Sequence, residues 1–247
     1  MNDSHIVKAF DEELAGLDAR ITRMGALAAQ ELEDALQAMR KRDAEQARAV
    51  IAADAQVDAL EHEVEEGAIH IIALRQPMAN DLRAVIGALK AAGELERIGD
   101  LASNIARRVI TLAKEKPPKP LKKELKRMGR LVVAQLVDVM RAYVERDAAL
   151  ARQVWERDEE VDEHYNALFR ELLTYMMEDP RTIGLATHLL FGARNLERIG
   201  DHITNIAEQV YFQATGERLD EKRPKGDVTA RLMPEAPKGG DTDRDVE

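Results

Sequence analysis

The chain is expected to be all-α, with two tandem three-helix bundles related by an internal pseudo-two-fold repeat, six long helices in all, and a disordered C-terminal tail. Three observations predict this. Only 4% of the 247 residues are aromatic, Gly (14) and Pro (8) are scarce, and Ala, Leu, Glu and Arg abound, as helix propensity favours and strand propensity does not. Apolar residues recur at steps of three and four over long stretches. The word Leu95-Glu96-Arg97-Ile98-Gly99-Asp100 returns as Leu196-Glu197-Arg198-Ile199-Gly200-Asp201, which marks a duplication.

The first helix carries Phe10, Leu14, Leu17, Ile21, Met24, Ala28, Ala35 and Ala38, a core-facing stripe broken only by Glu31. The second carries Ala47, Val50, Asp54, Val57, Glu61, Val64, Ala68 and Ile71, with acids at core positions. Arg75-Gln76-Pro77 ends it, since proline has no amide hydrogen and clashes with the preceding turn; Asn80 or Asp81 is placed to cap the third helix, about Leu82 to Leu112. Lys114-Glu115-Lys116-Pro117-Pro118-Lys119-Pro120 is a stiff, charged break.

The same three helices then recur. Leu121, Leu125, Met128, Val132, Val139 and Ala142 lie 104 residues beyond Leu17, Ile21, Met24, Ala28, Ala35 and Ala38. Arg146-Asp147-Ala148 answers Arg42-Asp43-Ala44 at that offset, and Asp158 and Asp162 answer Asp54 and Asp58. Before the last helix the turn is rebuilt as Asp179-Pro180, a cap followed by a first-turn proline, and the offset falls to 101 between Asp100 and Asp201. The expected units are residues 1–115, residues 119–216 and a disordered tail at 217–247, where Pro, Gly and mixed charge leave no stripe.

With 45% apolar residues the chain can bury a sizeable core. The first ten residues hold no signal-like apolar run, and no window offers the roughly 18 uncharged residues of a membrane span, so a cytoplasmic protein without membrane insertion is expected. The absence of cysteine excludes disulfides, thiol catalysis and thiolate-held zinc or iron–sulfur clusters. A net charge of −10 argues against nucleic acid as a partner, because duplex binding rests on a basic surface.

An i, i+4 step turns about 400° on a helix, so Glu96, Asp100 and Asn104 share one surface, as do Glu197, Asp201 and Asn205. Like charges at that spacing repel, and burial aggravates it. Asp54 and Asp158 sit on core stripes with Asp58 and Asp162 one turn on, and carboxylates there need arginine, backbone donors or a metal. Residue chemistry leaves three readings open: an arginine network through Arg97 and Arg198, a solvated groove, or a metal site. Oxygen ligands alone favour a hard cation such as Fe³⁺, Mn²⁺, Mg²⁺ or Ca²⁺. None of the six histidines shows metal spacing, and His202 reads as a surface or helix-contact residue. Gly99 and Gly200, each costing a helix about 1 kcal/mol against alanine, suggest close helix approach.

No nucleophile motif or phosphate-cradling glycine loop is present, so no enzyme is expected. The alternative is a carboxylate-bridged di-metal oxidase or metal-storage bundle, but that chemistry pairs Glu with His three residues later, and no histidine here has that partner.

The doubled LERIGD words followed by Asn-Ile-Ala, the Gln76-Pro77…Asp81-Leu82-Arg83 turn and the two matching halves resemble the PhoU family over about residues 5–215. The resemblance implies two three-helix bundles whose E/D-x-x-x-D words bind multinuclear metal clusters, iron in some members. That word falls on Glu96 and Asp100, and on Glu197 and Asp201. Asp54, Asp58, Asp158 and Asp162 are inferred to form the facing walls. Glu94 is replaced by Asn195, and Arg107 by Glu208, so the two sites are expected to differ in charge and in metal number. The role implied is negative control of phosphate uptake and phosphate-starvation signalling, through contacts with the ATPase subunit of a phosphate ABC transporter and a membrane-bound sensor histidine kinase. A homodimer is left open.

Overall fold

The structure is a computed structural model that describes residues 2–115 and 117–219. Eight α-helices run α1 (Asn2–Lys41), α2 (Ala44–Ala53), α3 (Ala55–Arg75), α4 (Asn80–Leu112), α5 (Lys119–Glu145), α6 (Ala148–Glu156), α7 (Asp158–Glu178) and α8 (Ile183–Thr215), with a 3₁₀ turn at Pro180–Thr182. Counting α2/α3 and α6/α7 as broken helices, these are the six helices of the repeat. Beyond Leu219, the tail expected to be disordered lies outside the described residues.

The repeated Arg-Asp-Ala is a corner. Arg42 and Arg146 adopt left-handed backbone, φ 60° and 53°, which stops α1 and α5. Asp43 then accepts the Glu45 and Gln46 amides at 3.0 Å each, and Asp147 accepts those of Ala149 and Leu150 at 2.9 and 3.0 Å. These side chains satisfy amides that the new helices leave unpaired.

The second helix of each half is not continuous. It breaks at Asp54, whose carbonyl takes the Val57 amide at 2.9 Å, and at Arg157, whose carbonyl takes the Gln135 side-chain amide at 2.8 Å. The carbonyl at the second break is thus drawn toward a neighbouring helix. Each break lies at or next to the acid that interrupts the apolar stripe, Asp54 or Asp158.

Left-handed Gln76 before Pro77 ends α3 as the sequence predicts. At the start of α4 the cap position is Ala79, with no side-chain cap; Asn80 lies inside the helix and accepts from Arg83. Asp179 does cap, accepting the Arg181 amide at 3.1 Å behind Pro180. Gly216, at φ 76°, closes α8 with its amide on the Phe212 carbonyl at 2.8 Å.

Packing joins the halves. α4 lies along both α1 and α8, and α1 also meets α5, so the buried apolar residues of both halves form one core. Ile21, Met24, Leu95 and Ile98 belong to it from the first half, and Met128, Leu136, Leu196 and Ile203 from the second. Each such side chain contributes roughly 1.5–3 kcal/mol by leaving water. Tyr143 donates to Asp18 at 2.8 Å across the halves, and burial followed by the Asp18 charge pushes its phenol far up. Among the described residues no helix is long and apolar enough to cross a membrane.

Candidate metal centre

Four elements deliver the acids of the first half. Glu31 comes from α1, Asp54 from the α2–α3 break, Asp58 and Glu61 from α3, and Glu96 and Asp100 from α4. Glu31 is 4% exposed and Asp54 8%; Glu61, Glu96 and Asp100 are half-buried, Asp58 exposed. Both Glu31 oxygens and Asp54 Oδ1 are buried without a hydrogen-bond partner. Gly99 provides the space. A Cβ there would stand 3.1 Å from Asp54 Oδ1 and 3.3 Å from Glu31 Oε2, so the helix approach expected at this glycine is an approach to carboxylates.

Burial, then Asp54 and Asp58, pushes the Glu31 carboxyl up to about 8. Asp54 is raised by burial above all, with Asp100 and Asp58 adding to it; the Ser103 hydroxyl, near it but outside hydrogen-bond geometry, and Arg107 oppose this in part. Burial also raises Glu96 and Glu61, with Asp100 next for Glu96 and Glu65 next for Glu61. Arg97 touches Glu96 at 3.4 Å but is mostly exposed. Water screens such a pair, so it supplies little compensation.

The second half copies the backbone and alters the charges. Asp158, Asp162 and Glu197 are buried, and a Cβ on Gly200 would stand 3.2 Å from Asp158 Oδ1. Yet Gln135 occupies the position of Glu31, Tyr165 that of Glu61 and Arg194 that of Gly93. Arg194 donates to Glu197 at 2.8 Å and lies 5.5 Å over the Tyr165 ring. The arginine that meets Glu197 is therefore Arg194, one turn before Arg198. Glu208 accepts the Trp155 indole N–H at 3.0 Å, and this pair stands where the first half has Arg107 and Ile51.

The two asparagines part company with the acids. Asn104 is exposed. Asn205 donates to Glu94 at 3.1 Å, and His202 Nδ1 pairs with the same carboxylate at 2.7 Å, so His202 is a helix-contact residue between α4 and α8. These groups edge a groove of about 480 Å³ that also holds Glu61 and Glu96. Glu31, Glu61 and Arg194 were not among the residues singled out from sequence, although Glu31 was visible as the break in an apolar stripe.

Among the described residues, no three Asp, Glu or His side chains close on one point as an ion's shell does. The donor chemistry of the first half nevertheless suits a hard cation: buried carboxylate oxygens, no thiol or clustered imidazole, and little built-in positive charge.

Fold and site together define a duplicated helical-bundle protein with an acidic face beneath each copy of the repeated word. The PhoU domain matches residues 21–109 and 125–210. The chain belongs to the PhoU family. It is 54% identical over 227 residues to the phosphate-specific transport system accessory protein PhoU homolog of Caulobacter vibrioides (strain NA1000 / CB15N), covering 92% of this chain and 99% of that one. Against the protein of the same name in Rhizobium meliloti (strain 1021) the identity is 49% over 232 residues, covering 94% and 98%. The crystal structure of PhoU from Pseudomonas aeruginosa superposes with a TM-score of 0.82 at 38% identity, covering 84% of this chain and all of that one. The phosphate transport system regulatory protein PhoU from Streptococcus pneumoniae gives 0.80 at 31%, covering 86% of this chain and 100% of that one.

Proposed function

We propose that this chain is a metal-binding accessory adaptor that restrains phosphate uptake and the phosphate-starvation response. The transport role follows from relatives named as phosphate-specific transport system accessory proteins that align over nearly their whole length. One observation carries the metal part: Glu31 and Asp54 bury oxygens that lack a hydrogen-bond partner, beside further acids of α3 and α4. Carboxylates so placed require a counter-charge whenever they ionise.

In the first half Asp54, Asp58, Glu96 and Asp100 hold the cation, with Asn104 at the edge; in the second the corresponding set is Asp158, Asp162, Glu197 and Asp201, with Asn205 beside it. Multinuclear iron is the first choice, and Mn²⁺, Mg²⁺ or Ca²⁺ suits the same oxygens. A bound ion supplies charge neutralisation here and no redox step. The acids hold α3 against α4 and α7 against α8, which keeps the outer helix faces in one arrangement for partners.

Those partners are the ATPase subunit of a phosphate ABC transporter and a sensor histidine kinase, met from the cytoplasmic side without insertion into the membrane or contact with nucleic acid. The role is not catalytic. Deletion followed by complementation, read with a phosphate-starvation reporter, tests the proposal. Deletion is expected to release the reporter in rich phosphate and the intact chain to restore repression. A reporter that stays repressed after deletion, with normal uptake, overturns it.

A further inference from the structure

We infer that this chain seats its tight cation in the first half alone, with Glu31 of α1 as an added buried donor, while Gln135 and Arg194 replace that cation in the second half. This rests on the metal-binding reading above and narrows it to one half.

Glu31 is the best-buried acid of the first cluster, and neither of its oxygens has a hydrogen-bond partner. It and Asp54 both approach Gly99. A single point above Gly99 lies 3.3 Å from Glu31 Oε2 and 3.1 Å from Asp54 Oδ1, so the two carboxylates face a gap that exists because residue 99 has no side chain. Two buried carboxylates facing one gap are costly unless positive charge joins them. No arginine or lysine is within ion-pair distance of either among the described residues; Arg107, the cation that acts on Asp54, is exposed. What remains is a proton or a hard cation, and Asp58 and Asp100, whose charges both act on Asp54, flank the pair.

The second half shows how the same architecture meets part of this need with a built-in cation, which leaves less call for a tightly held ion. At the Glu31 position Gln135, 1% exposed, spends its amide on the Arg157 carbonyl at 2.8 Å. At the Gly93 position Arg194 brings a guanidinium to Glu197 at 2.8 Å, and Tyr165, in place of Glu61, provides the ring beneath it. One acid becomes an amide, another a phenol, and a glycine becomes a cation. These three changes all make the second site less acidic; the opposite change, Arg107 to Glu208, is spent on the Trp155 indole N–H at 3.0 Å. The ion of the first half and the arginine of the second meet one electrostatic need, so the repeat keeps its shape while its halves bind differently.

The test uses the full chain, stripped with chelator and titrated with Mn²⁺ by calorimetry, with thermal unfolding in parallel. The wild type is expected to show one tight site and a rise in Tm on Mn²⁺ addition. Glu31→Gln, which installs the residue of the second half, is expected to stay folded by circular dichroism and to weaken that site at least tenfold. Glu31→Asp, shorter but still charged, checks the same donor in case the amide disturbs packing, and is expected to fall between the two. The double variant Gln135→Glu/Arg194→Gly is expected to gain a second site.

Two equal sites in the wild type, wild-type affinity in Glu31→Gln, or no second site in the double variant overturns this inference and leaves the adaptor reading standing. Failure of the wild type to bind Mn²⁺, Fe³⁺ or Ca²⁺ removes both.

Discussion

Gly99 and Asp54 are locked face to face: a methyl group on Gly99 would come within 3.1 Å of Asp54 Oδ1, and Gly200 repeats the relation to Asp158 at 3.2 Å. Alanine in place of a helical glycine normally stabilises by roughly 0.5–1 kcal/mol. Gly184, near the start of α8, has nothing within 4 Å of its would-be Cβ, so Gly184→Ala is expected to deliver up to that gain in urea unfolding. Gly99→Ala is expected to forfeit it and to weaken cation binding, because the displaced atoms are buried carboxylates. Equal stabilisation by both substitutions would show that the close approach at Gly99 costs nothing.

The Glu31 carboxyl, lifted to about 8, gives the metal-free protein a pH dependence of definite sign. The folded state holds this proton more tightly than the unfolded chain, whose glutamate titrates near 4.5. The resulting stabilisation is complete below pH 4.5 and drains away as pH rises toward 8. Glu31→Gln removes this dependence, so its stability relative to wild type is expected to grow across that window by roughly 1–3 kcal/mol, as for relief of an unsatisfied buried group. Calorimetric unfolding at pH 5 and pH 8 in chelator measures it; a constant difference would rule out titration of Glu31.

Asp43 and Asp147 each accept two backbone amides at the start of α2 and α6. Asp43→Ala and Asp147→Ala are each expected to cost about 1 kcal/mol in chemical unfolding. Neither should alter cation affinity, since neither belongs to the acidic clusters.

Trp155 is the only tryptophan in the chain, and its indole N–H donates to Glu208 from a site 2% exposed. Glu208→Ala strands that donor. A loss of roughly 1–3 kcal/mol is expected, together with a shift in tryptophan emission under native conditions. Unchanged emission and stability would show that the pairing contributes nothing.

The helices, their repeat and the Asp179-Pro180 turn were legible because each rests on local chemistry, apolar spacing and Asp-Pro; Arg-Asp-Ala was visible only as a repeated word, and its role as a corner comes from the left-handed arginine and the capping aspartate. The breaks at Asp54 and Arg157 were not, since an amphipathic stripe continues through both and the Gln135 amide that draws on the Arg157 carbonyl lies on another helix. Glu31 stood out as an interruption, yet its meaning depends on what α1 faces, and only packing places it against Asp54. Arg194 is not marked by the repeated words, because this charge lies where the halves differ, at the position of Gly93. Asn205 shows the limit of i+4 reasoning: each step drifts about 40°, so after two steps the side chain has turned toward Glu94 on the neighbouring helix.

The cation content of chain purified from its native cell type, compared with Glu96→Ala/Glu197→Ala prepared alongside, tests the central claim most directly. The wild type is expected to retain bound metal after extensive dialysis, iron first among the candidates, and the double variant to lose most of it while staying folded. Equal metal content in the two proteins, or none in the wild type, would contradict the claim that these acidic faces exist to hold cations.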